Sequence, residues 1–392
     1  MPSPSPEHPG LFIRDPYRFS DAMLVIPPVL VECLQCFDGQ HTDLDLREAL
    51  VRLTGDLNVG EIANHLNHTL SAAGFLEDEN FSGMEQERRR EFAKSAIREP
   101  AHAGSAYPAD ASELRLTMER YLGEEPAPTA SDGSLFAIAA PHVSPEGGWQ
   151  SYRAAYRLLR PEHRGRTFLI LATSHYGEPE TFGLTRKRFI TPLGEAVTDE
   201  RLVDRLSEHG GDAVRMEDYC HSFEHTVELQ LIFLQHRLGP GVRILPILCG
   251  PFARSLYNGG APEADDRVRR FFGALAELGE QESDNLFWIL GVDMAHMGAR
   301  YQDRFAAVAE QGLMQGVAER DRERIACINS SDAGGFWELV RQNRDDLKWC
   351  GSSPFYTFLK TAPHARGDLL RYEQWNIDER SVVSFAGMAF SR

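Results

Sequence analysis

An α/β domain with a mostly parallel central sheet flanked by helices, preceded by a small winged-helix module, is the fold that the sequence predicts. Three observations carry this reading. Apolar runs rich in β-branched and aromatic residues occur at 135–139, 167–171, 242–248 and 286–292, with helical patterns such as 151–159 and 224–234 between them. Strands spaced by helices build a largely parallel sheet. Upstream, two helical patterns are joined by turns, and the composition changes near residues 84–100, where Glu85-Gln86-Glu87-Arg88-Arg89-Arg90-Glu91 is too charged to be core.

Along the chain, residues 1–11 open with Met1-Pro2-Ser3-Pro4-Ser5-Pro6 and read as a flexible tail. It has neither the basic patch nor the apolar run of a signal peptide. Residues 12–83 form the first module. Acidic Asp43 and Asp45 begin a helix whose apolar residues fall at 46, 50, 53 and 57. A second helix is expected over 59–73, ended by Gly74, with a short strand at Phe75-Leu76 closing the module. Residues 84–97 are read as a charged helical linker that Pro100 ends. Residues 98–392 are the α/β domain, and 382–390 reads as a late strand at the sheet edge.

Totals narrow the function. The chain has 392 residues, enough for two domains, and 42% of them are hydrophobic. A net charge of −17 opposes a nonspecific grip on nucleic acid or an anionic membrane. No segment supplies the ~20 apolar residues of a membrane span. Six scattered cysteines in a chain of this size fit reduced thiols and a cytoplasmic location. Cys33-x-x-Cys36 lacks the second pair that a zinc site needs.

The chemistry gathers after the strands. The first run leads into Pro141-His142, the second into Thr173-Ser174-His175, and the last into Asp293-Met294-Ala295-His296. Ligands of open α/β sheets bind at the carboxyl ends of strands, so these residues are expected to share one crevice. Cys350 precedes Gly351-Ser352-Ser353-Pro354, where Ser352 or Ser353 suits an N-cap and Pro354 the first helical turn. A cysteine at that place feels the positive helix end, which favours thiolate. Two imidazoles and a thiolate suit Fe(II), Cu or Zn. Asp293 and His296 are placed to complete the shell, hold a water or move a proton. His225, in Glu224-His225-Thr226-Val227-Glu228, either lines the pocket or caps its helix.

Taken together, Ala103-Gly104-Ser105-Ala106-Tyr107-Pro108, Ala140-Pro141-His142, Thr173-Ser174-His175, Thr191-Pro192-Leu193-Gly194, Glu224-His225-Thr226-Val227-Glu228, Val292-Asp293-Met294-Ala295-His296 and Cys350-Gly351 resemble the Memo family. Its bacterial members are known as AmmeMemoRadiSam system protein B. The resemblance implies a fold like the class III extradiol dioxygenases, with His142, His175 and Cys350 binding iron or copper, and zinc the weaker expectation. It sets Asp293, His296 and His225 beside the metal as catalytic candidates. Two departures stand out. The usual Pro-His-Ala-Gly-Tyr is Pro141-His142-Val143-Ser144-Pro145 here, and the usual Ser-Ser-Asp is Gly291-Val292-Asp293.

The first module, through Phe37-Asp38-Gly39-Gln40-His41-Thr42 and Ala73-Gly74-Phe75-Leu76, resembles PqqD-type winged helices that bind leader peptides. From 40 to 76, Arg47 and Arg52 face Asp43, Asp45, Glu48, Asp56 and Glu61, a balance that disfavours phosphate contact. The implied partners are a peptide substrate or a radical SAM enzyme. The resulting expectation is an iron-dependent, dioxygenase-like oxidoreductase acting on an aromatic or peptide-borne substrate. The alternative is a non-catalytic metal-binding or redox-support protein.

Overall fold

A computed structural model describes residues 9–123 and 135–392. Its contacts divide the chain into two units, Met1–Lys94 and Ser95–Arg392. Most of the expected tail, residues 1–8, lies outside the described residues, and Leu11 already belongs to a strand.

In the first unit, β1 (Leu11–Arg14) and β2 (Met23–Ile26) pair antiparallel, with Leu11 opposite Ile26. Helices α1 (Asp43–Thr54), α2 (Gly60–Ala72) and α3 (Glu79–Lys94) follow. Thr42 caps α1 in a box with Asp45, each satisfying the other's main-chain N–H. Leu46, Leu50, Ala63, Leu66 and Leu70 form the core with Cys33 and Ile26. Two expectations shift. Leu57 follows the helix and is 86% exposed, because Gly55 has already ended the period. Phe75-Leu76 forms no strand, since the strands precede the helices. The charged stretch lies inside α3, and the division between units falls after Lys94.

The second unit runs β3 (Ile97–Arg98), α4 (Ala111–Leu122), β4 (Leu135–Ala140), α5 (Pro145–Tyr156) and β5 (Thr167–Thr173). Short strands β6 (Phe182–Leu184), β7 (Arg188–Thr191) and β8 (Gly194–Thr198) lead to α6 (Glu200–Gly210), β9 (Val214–Met216) and α7 (His225–Leu238). Next come β10 (Arg243–Cys249), α8 (Ala253–Asn258), α9 (Asp266–Gln281), β11 (Leu286–Gly291) and β12 (His296–Gly298). The chain ends with α10 (Leu313–Asn329), α11 (Ala333–Arg341), α12 (Ser352–Thr361), β13 (Arg366–Asp378) and β14 (Ser381–Ser391).

The sheet order is β12-β14-β4-β11-β5-β10-β8-β7-β3, with β13 on β14 and β6 and β9 beside β10. Strands β4, β11, β5 and β10 are parallel and in step: Ile170 stands between Ile289 and Pro246, and Ile289 beside Ile138. All four therefore end on one rim. They are buried on both faces, which explains their unbroken apolar runs. Leu169 and Leu171 pack with Phe271, Leu275 and Phe358 of α9 and α12, and strand alternation turns Phe168 and Ile170 to the other face. The late strand β14 is not the edge, because β13 pairs along its length. Among the described residues no helix is long and apolar enough to cross a membrane.

Each unit has a core of its own. Residues 95–392 expressed alone are accordingly expected to melt cooperatively. An insoluble or molten product would contradict this.

Candidate metal centre

The rim of parallel strands delivers the side chains. β4 leads directly into His142, β5 into His175, and β11 into Asp293. His225 is the first residue of α7, and Cys350 precedes the N-cap of α12. That N-cap is Gly351, not Ser352 or Ser353. The reason is steric: a Cβ on Gly351 would lie 2.5 Å from the carbonyl oxygen of Asp293. Gly351 donates its N–H to that same carbonyl at 3.0 Å, which pins Cys350 to the β11 rim.

Hydrogen bonds orient each imidazole. His142 Nδ1 donates to the Gly291 carbonyl at 3.0 Å, leaving Nε2 with its lone pair. Main-chain N–H groups of His142 and Val143 donate to Asp293 Oδ1 at 2.9 and 3.2 Å. Glu224, buried at the N-cap of α7, serves two histidines. It accepts His175 Nδ1 at 3.1 Å and His225 Nδ1 at 2.9 Å, together with both of their main-chain N–H groups. With both Nδ1 atoms engaged, Nε2 is the ligand atom of each ring, once His175 gives up the proton that Glu224 favours. These two rings stack 5.0 Å apart at 13°, while His142 stands nearly perpendicular at 5.0 and 5.3 Å. Among the described residues, one ligand atom from each of His142, His175 and His225 lies within 4.8 Å of the others. Cys350 Sγ sits 3.3 Å from His142 Nε2 and within hydrogen-bond reach of His175.

Charge follows burial. Desolvation, reinforced by His175 and His225, holds His142 well below the ordinary histidine pKa. Desolvation also lowers His175, but its side chain is 29% exposed, and the Glu224 charge and the Cys350 hydrogen bond win, raising it well above the ordinary value. Burial raises Glu224, and the His175 charge and the hydrogen bonds of both histidines more than reverse it. Burial pushes the Cys350 thiol up against the His175 hydrogen bond, so the helix end does not make it a thiolate by itself. Asp293 is pushed up to about 7 by burial, opposed by the two main-chain donors. His296 is lowered to about 4, again by burial. Its Nδ1 donates to the carbonyls of Met294 and Lys348 at 2.9 and 3.1 Å, which frees Nε2 as an acceptor.

The centre therefore brings His142, His175, His225 and Cys350 together, with Asp293 against His142. The positive charge of His175 is felt at His296. Glu224 and Glu228 part company. Glu228 turns to Arg98, the Tyr107 hydroxyl and the N–H groups of Ala101 and His102. Supporting residues went unseen in the sequence. Asp321 of α10 is buried and accepts Trp349 Nε1, the Tyr372 hydroxyl and Ser384 Oγ at 2.7, 2.7 and 2.6 Å. Ser384 Oγ takes the Ala295 N–H at 2.8 Å, so one carboxylate ties the Cys350 segment to the Asp293–His296 segment. Gln230 holds the Pro141 carbonyl at 2.8 Å. His102 lies edge-on to His225 at 5.6 Å. Only the Glu224-His225 dipeptide carried a visible signal, an acid beside a base at a helix start.

Comparison with known proteins agrees with this architecture. A family model described as Memo-like protein matches residues 98–389. A MEMO1 family protein of Aquifex aeolicus is 25% identical over 382 residues, covering 96% of this chain and 95% of the relative. One from Thermococcus kodakarensis is 30% identical over 310 residues, 76% of this chain and all of the relative. Another, from Pyrococcus furiosus, is 29% identical over 309 residues, 75% and 97%. The chain belongs to the Memo family.

Proposed function

We propose that the chain holds a single metal ion through His142, His175 and Cys350, iron(II) before copper or zinc, as a cytoplasmic, dioxygenase-like oxidoreductase for an aromatic or peptide-borne substrate. The observation that carries the reading is that a hydrogen bond engages Nδ1 of His142, His175 and His225, which leaves Nε2 as the ligand atom of each, with Cys350 Sγ 3.3 Å from His142 Nε2. The donor set fits a borderline or soft divalent cation. A bound ion supplies Lewis acidity and a redox couple. The chain's own residues do the rest. Glu224 fixes two rings, Asp293 holds the His142 loop through main-chain N–H groups, and neutral His296 offers Nε2 to accept a proton. The first unit is read as a PqqD-like winged helix that presents a peptide.

One observation favours a second reading, a metal-binding or redox-support protein for a radical SAM enzyme. His225 stands in the imidazole cluster, and four protein donors would close the shell as structural sites do.

The test is Glu224→Gln. It keeps the side-chain shape but loses the charge that orients both rings, so metal affinity is expected to fall about 10–100-fold. Titration with Fe(II) under anaerobic conditions measures it. Unchanged affinity in a folded variant would contradict the assignment.

A further inference from the structure

We propose that a cavity of about 300 Å³ beside His175 and Cys350 is a ligand chamber for an uncharged aromatic molecule bearing one hydroxyl group. The inference deepens the oxidoreductase reading by naming the substrate class, and it rests on that reading only for the ligand's fate. Phe252, Leu256, Trp337 and Val340 supply apolar wall, and His175 and Cys350 also line the space. At this volume the chamber lies at the small end of ligand sites, which span about 300–1,000 Å³. One ring fits better than two.

The lining also decides the charge. Several of its polar groups are already engaged within the protein, while the buried Ser174 hydroxyl has no partner. Thr173 Oγ1 donates to the Cys350 carbonyl at 3.1 Å, and Ser353 Oγ to the Cys249 carbonyl at 3.3 Å. Lys348 Nζ is 2.8 Å from Asp303, and Asp345 takes Arg324 at 2.8 Å and the Trp349 N–H at 2.9 Å. The charged side chains of the lining are already paired, His175 with Glu224 included, so an ionised ligand would be desolvated there without an unpaired counter-charge, which is costly. Aromatic rings that meet edge to face, such as Phe252 and Trp337 at 6.1 Å, offer a ring similar contacts. The imidazole and thiol of His175 and Cys350 then give a single hydroxyl its partner.

Phenol is the probe, titrated into the full-length protein and followed by tryptophan fluorescence and ligand-observed NMR. Saturable one-to-one binding is expected, with slower alkylation of Cys350 by iodoacetamide when phenol is present. Benzoate and cyclohexanol are expected to bind at least about tenfold more weakly, and Leu256→Trp and Ala253→Phe, which fill the space, to weaken phenol by a similar factor. Absence of saturation, benzoate binding as tightly as phenol, or phenol binding intact in both filled variants would overturn the proposal. Iron content measured on the same samples separates the two claims. Phenol binding by a protein that takes up no iron would support the chamber while removing the metal assignment.

Discussion

Glu228→Ala is expected to lower stability by about 3–5 kcal/mol, because it strands a buried positive charge. Arg98 is 1% exposed and reaches the Glu228 carboxylate, the carbonyls of His221 and Glu224, and its neighbour's carbonyl. Glu228, fully buried, also accepts Tyr107 and two main-chain N–H groups. Its removal leaves the Arg98 charge without its counter-ion and leaves Tyr107 and the two main-chain N–H groups of the loop before α4 without their acceptor. Burial raises the Glu228 pKa, but Arg98, Tyr107 and His102 outweigh it, so the folded value lies below the ordinary 4.5. A depressed carboxylate stabilises the fold above its unfolded pKa and loses that contribution as pH falls through the folded one. The gap between wild type and Glu228→Ala should therefore be full at neutral pH and shrink below about pH 4.5. Chemical denaturation at pH 7 and pH 4 measures both. A loss under about 1 kcal/mol at pH 7, the scale of an exposed pair, would contradict the account.

His296→Ala is expected to retain the metal and lose turnover by roughly 10²–10⁴-fold, the usual scale of general acid–base catalysis. Burial keeps His296 neutral down to about 4, and its donated Nδ1 proton leaves Nε2 as the acceptor. Oxidative chemistry on an aromatic or peptide group needs a proton moved, and this ring is the neutral base on the same rim as Asp293. Measured with reductant, O₂ and phenolic substrates, wild type and variant should differ in rate and match in metal content. Parallel loss of metal and rate would make His296 a ligand instead. A wild type with bound metal and no turnover on any substrate would favour the metal-support reading.

How much of this was legible depended on burial. The four parallel strands are covered on both faces, so each reads as a continuous apolar run, and the histidines that follow them stood out for that reason. Strand β13 was invisible, since it alternates no clear pattern and carries Arg366, Asp368, Arg371 and Glu373 along an edge. The N-cap of α12 lies one or two residues before the serines that the sequence favours, because serine is the better cap in isolation and only the approach of Asp293 to Gly351 reveals why glycine holds that place. Long-range partners left no trace. Asp321 sits in a charged helical stretch, and nothing nearby says that it is buried against Trp349, Tyr372 and Ser384. Glu224 and Glu228 share a helical spacing, yet one orients the imidazoles and the other neutralises Arg98. Periodicity gives neighbours on a face, and the residues that approach from elsewhere decide their roles.

Metal content tests the central claim most directly. The wild-type chain, purified without oxygen, should carry about one ion per chain, and His142→Ala, His175→Ala and Cys350→Ala should each lose most of it, because deletion of a ligand greatly weakens a site of so few protein donors. Elemental analysis of the folded proteins decides. Wild-type metal content in all three variants would contradict the site.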